Sequence, residues 1–93
     1  MTEIKASKPI AQLKNGDKVK VDGKELEVDA HYVFEDYKTT KEMLIELFDS
    51  KSKSDDEGNY QLRYFSDQVE ETIKFYELKT IVYEEKEFEK IEW

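Results

Sequence analysis

The sequence predicts a mainly β protein: one small domain on an antiparallel, strongly curved sheet or small barrel of five or six strands, with at most one short helix. Three observations carry this. Leu26, Val28, Ala30, Tyr32 and Phe34 recur at every second position against Glu25, Glu27, Asp29 and His31, the period of a strand with one buried face. Asp22-Gly23 sits between that run and the alternating Lys18-Val19-Lys20-Val21, the strongest short-range signal for a hairpin, because glycine tolerates the positive φ of a primed turn. Eleven Phe and Tyr residues plus Trp93 supply apolar area that a disordered acidic chain lacks.

Taken in order, residues 1–12 mix small, polar and basic types around Pro9 without a period and read as a flexible basic tail; the domain proper spans 13–93. Asn15-Gly16 marks a turn, and the strand from Lys24 to Phe34 exceeds the usual length, so it is expected to bend. Thr39–Phe48 carries two periods. Thr39 with Glu42 resembles a capping box, while Met43, Ile45 and Leu47 line one side of a strand; the strand is preferred, with an α+β fold (helices near 40–48 and 67–78) as the alternative. Residues 50–59 contain no large apolar side chain and read as an exposed, mobile loop leading to a strand through Tyr60, Leu62 and Tyr64. Over 67–78 helix and strand tie. The run Ile81-Val82-Tyr83 favours a strand, and the spacing from Phe88 to Ile91 requires a break in it.

At 93 residues the chain suffices for a single core, and with no cysteine it has neither a disulfide framework nor a thiolate metal cage. No stretch approaches the ~20 apolar residues of a membrane span. The cytoplasm is therefore the expected compartment. The net charge of −8 is uneven: residues 1–24 hold six lysines against three acids, residues 25–93 nine basic residues against twenty acids. Such a field repels phosphate backbones and favours a basic protein partner.

No catalytic or cofactor motif stands out, and the domain is read as non-enzymatic, without cofactor or metal. A single histidine and no cysteine make a zinc site implausible. Asp49–Asp55 departs from the calcium-loop pattern because Lys51 and Lys53 stand where ligand oxygens belong. The three glycines are each accounted for by a turn, which leaves no phosphate loop. The candidate binding residues are Tyr60, Arg63, Tyr64 and Phe65, an aromatic and cationic cluster suited to a partner, together with His31, placed on the polar face of the long strand.

The segment from Leu13 to Val28 resembles the opening hairpin of SH3-like small barrels, in which Gly-Asp-x-Val precedes a Gly-Lys turn. With Ile45-Glu-Leu47, Tyr60-Gln-Leu62 and Phe75-Tyr-Glu-Leu78 following, the chain also resembles small all-β prokaryotic domains of unknown function. The resemblance implies a small barrel and supplies no functional residues. The expected function is a non-catalytic binding or adaptor domain that contacts another protein. The alternative is single-stranded nucleic-acid binding through Lys5, Lys8, Lys14, Lys18, Lys20 and Lys24 together with the sheet aromatics.

Overall fold

The computed structural model describes residues 3–51, 58–79 and 81–93. Eight strands form one curved sheet: β1 (Glu3–Lys5), β2 (Lys18–Val21), β3 (Lys24–Asp36), β4 (Lys41–Phe48), β5 (Asn59–Phe65), β6 (Lys74–Lys79), β7 (Val82–Lys86) and β8 (Lys90–Glu92). Their order across the sheet is β1-β8-β2-β3-β4-β5-β6-β7, and every pairing is antiparallel except that of β1 with β8. A 3-10 turn at Ile10–Gln12 and a four-residue helix, α1 (Val69–Thr72), complete the fold. The mainly β class and curved antiparallel sheet follow the expectation; the strand count rises to eight because short strands form at both ends of the chain.

The β2–β3 hairpin turns at Asp22 (φ +49°) and Gly23 (φ +83°), two successive positive φ angles that suit this dipeptide. Asp22 does a second job. Its Oδ1 accepts the backbone N–H groups of Glu89 and Lys90, both at 2.9 Å, and so seats β8 beside β2. Residues 40–48 form the strand the sequence prefers, and 67–78 divide between α1 and β6, so both competing periods are real over successive halves. Within the stretch read as a flexible tail, Glu3–Lys5 enters the sheet as β1 and Ile10 is buried. Most of the loop read at 50–59 lies outside the described residues.

One core face carries Val19, Val21, Leu26, Val28, Ile45, Leu47, Tyr60, Leu62, Tyr64, Phe75 and Ile91, with Ile10 and Leu13 closing one end. Trp93 packs against this cluster and donates its Nε1–H to the Lys8 carbonyl at 2.7 Å.

The long strand β3 corrects the sequence reading in its second half. Val28 pairs with Leu47 but Ala30 pairs with Glu46, so Asp29 is an extra residue, a bulge. The 15–17 turn holds it in place: Gly16 N–H donates to the Val28 carbonyl, Val28 N–H to the Asp17 carbonyl, and the Asn15 amide to the Asp29 carbonyl. One inserted residue exchanges the faces of everything beyond it. Leu26 and Val28 therefore lie in the core as expected, whereas Tyr32 and Phe34 emerge on the opposite face, 43% and 46% exposed. His31, expected on the polar face, turns to the core side opposite Ile45.

Candidate functional site

The five residues singled out from the sequence do not share one surface. Alternation along β5 sends Tyr60 and Tyr64 into the core, where Tyr60 stacks on Phe75 with ring centroids 5.2 Å apart. His31 joins them there. Its Nδ1 lies 2.7 Å from the Leu13 carbonyl and its Nε2 2.7 Å from the Tyr64 hydroxyl. A carbonyl only accepts, so Nδ1 carries a proton, and in the uncharged imidazole Nε2 accepts from Tyr64. Burial pushes the Tyr64 hydroxyl up to about 12, which keeps it a donor. This triad is a structural clasp between β3, β5 and the chain before β2. Arg63 and Phe65 belong to the other face.

That other face is the more informative one. Cross-strand partners share a face, so the registers place Ala30, Glu46, Gln61, Tyr76 and Glu85 in one row and Tyr32, Leu44, Arg63 and Lys74 in the next. Leu44 is only 1% exposed although it lies outside the main core cluster. Its register neighbours Tyr32 and Arg63, the latter with its guanidinium against the Phe34 ring, are the groups placed to cover it. A second, small apolar cluster thus sits on the side of the sheet that carries no layer of its own.

Arg63 organises this cluster. Its guanidinium carbon lies 4.6 Å from the centre of the Phe34 ring and 4.3 Å from that of Tyr76. The Nε and Nη2 groups both donate to Gln61 Oε1, at 3.3 and 3.0 Å, which explains why Gln61 is a buried polar residue. Tyr32 donates to Glu46 at 3.3 Å. Desolvation is the main reason that Tyr32 and Tyr83 are both held above the usual tyrosine range, with the Glu46 carboxylate adding to it. The face is completed at its rim by Phe65, whose ring meets that of Tyr37 at 5.9 Å.

No protein-family model, curated protein or solved structure matches this chain. Its function has to be argued from the surface itself. Among the described residues, no group of three or more His, Asp or Glu side chains converges as a metal site would require, and no helix is long and apolar enough to cross a membrane. The cleft lined by Asp22, Phe75, Glu85 and Phe88 encloses about 610 Å³, and within it Asp22 is already engaged with β8.

Sequence reasoning missed Tyr32, Phe34, Leu44, Gln61 and Tyr76 as partners of Arg63. Part of the signal was present: the period of two within Asn59–Phe65 separates Tyr60, Leu62 and Tyr64 from Gln61, Arg63 and Phe65. The union of Phe34 with Arg63 across β4 depends on two bulges in β3 and has no local signature.

Proposed function

We propose that this domain is a non-catalytic binding module that recognises another protein through the face opposite its core. The observation that carries the reading is the placement of exposed apolar side chains. Among the described residues, Tyr32, Phe34 and Tyr37 are exposed at the outer end of β3 and its turn, beside the half-buried Arg63 and Tyr76, while the exposed Val33 pairs with Met43 on the core side. Aromatic and arginine side chains gathered on a sheet surface are the groups that dominate protein interfaces. Glu35, Glu42, Glu46 and Glu85 stand on the same face, a field that favours a basic partner.

The nucleic-acid alternative is weakened by its own cations. Lys8 pairs with Asp17 at 2.8 Å, Lys18 with Glu27 at 2.5 Å and Lys24 with Asp49 at 3.6 Å, so half of the six front lysines already face a carboxylate. Of the sheet aromatics at Tyr60, Tyr64 and Phe65 that would stack bases beside Arg63, Tyr60 and Tyr64 are buried.

Affinity capture from a lysate treated with nuclease tests the proposal, with the wild type compared against the double variant Tyr32→Ser, Phe34→Ser. The expected result is a basic protein retained by the wild type, released by raised salt and lost with the variant. Equal capture by both proteins, or nucleic acid as the species retained before nuclease treatment, overturns it.

A further inference from the structure

Arg63 is the only arginine in the chain. Seven described lysines, Lys8, Lys18, Lys24, Lys74, Lys79, Lys86 and Lys90, have a carboxylate within 4 Å; Arg63 has none among the described residues, and neither do Lys5, Lys14, Lys20, Lys38, Lys41 and Lys51. What distinguishes Arg63 from those lysines is its packing between aromatic rings. The rings of Phe34 and Tyr76 occupy the space beside the guanidinium, and Gln61 takes two of its five N–H donors. The other three donors have no partner among the described residues. A planar, weakly hydrated cation held by stacking, with donor edges free, is preorganised for a two-point contact with a carboxylate.

We infer that Arg63 is the anchor of the docking face and receives a carboxylate of the partner protein, an Asp or Glu side chain or a chain terminus, flanked in the partner by cationic residues. The inference rests on the protein-binding reading above and names what the partner must present. Charge complementarity selects the flanks: Glu42, Glu46 and Glu85 share the face with Arg63, while Lys74, the nearest cation in register, is engaged with Glu85 at 3.8 Å. A polyphosphate chain would meet those three acids at every register, whereas a lone carboxylate between lysines satisfies both signs. Phe34 and Tyr32 then offer apolar contact to the residues on either side.

A single arginine gives a single side-chain Nε–H resonance, which makes the test direct. The folded protein is titrated by NMR with the capped peptide acetyl-Lys-Leu-Asp-Leu-Lys-amide, with its Asn counterpart, with inorganic phosphate and with oligothymidylate. The carboxylate peptide is expected to shift the Arg63 Nε–H and the amides of Tyr32, Phe34 and Tyr76, and to bind roughly ten-fold more tightly than the Asn peptide. Arg63→Lys should abolish that difference while the core amides of Val28 and Leu62 stay in place, which shows the variant folded. Equal binding of the two peptides with Tyr32 and Phe34 responding overturns the anchor and leaves the docking face standing. A stronger response to phosphate or oligothymidylate overturns it in favour of a phosphate ligand. Silence at Arg63 up to millimolar peptide also overturns it, and the affinity capture above then decides the docking face separately.

Discussion

The imidazole of His31 joins two parts of the chain that are distant in sequence, accepting from Tyr64 on β5 and donating to Leu13 ahead of β2. Both ring nitrogens are used, so neither partner is replaceable without stranding the other. Tyr64→Phe should cost about 1–2 kcal/mol in urea unfolding, since Nε2 loses its donor in a half-buried site. His31→Phe strands the Tyr64 hydroxyl instead, and the double variant should be less destabilised than the sum of the two by about 1 kcal/mol; strict additivity would show the bond to be idle. A second residue-scale expectation concerns acid. Lys79 at 2.8 Å, with Lys86 at 3.5 Å, holds the Glu77 carboxyl below its usual 4.5. A lowered folded-state pKa adds stability above the ordinary carboxylate range, and that contribution disappears as pH falls through the folded value. Glu77→Gln should therefore flatten the loss of stability below about pH 4.5, read as denaturation midpoints at pH 7 and pH 3.

Among the elements, β3 decides which residues face a partner. Two register shifts, at Val28/Ala30 and Val33/Glu35, let one strand pair first with β2 and then run on against β4 alone. The first half of β3 was legible because Leu26 and Val28 precede the bulge and obey simple alternation. The second half was not, since an extra residue changes the phase without changing the composition, and the turn that stabilises it acts through backbone groups. The β2–β3 hairpin was legible from Asp22-Gly23 because the requirement for positive φ is local. The strand at 41–48 was legible for a different reason: Leu44, Ile45 and Leu47 are all buried, and a helix would need a wide apolar face on one side only. Burial on both faces of β4 carries its own expectation. Leu44→Ala should cost about 2 kcal/mol by chemical denaturation, as for a core leucine, although Leu44 lies on the side away from the core cluster. A near-zero cost would mean that Tyr32 and Arg63 do not close over it.

At the scale of the molecule, the design is a sheet with one face spent on the core and the other left with a small aromatic cluster around a single guanidinium. The sequence announced the class through its aromatic content and alternation. It hid the closure, because the seam joins segments that have no periodicity of their own: Ile4 pairs with Ile91 in a parallel register, Trp93 N–H donates to the Lys5 carbonyl and Ser7 N–H to the Trp93 carbonyl. The candidate surface was hidden for the same reason, since Phe34, Arg63 and Tyr76 come from three strands and meet only when the registers are set.

That seam also bears on how fast the protein acquires its structure. Bringing β1 against β8 closes a loop of almost the whole chain, an entropic toll that hairpins such as β2–β3 do not face. Refolding should accordingly run on the order of milliseconds to seconds rather than microseconds. Trp93, the sole tryptophan, stands at the closure, so its emission in a stopped-flow experiment reports directly on the step that zips the two ends together.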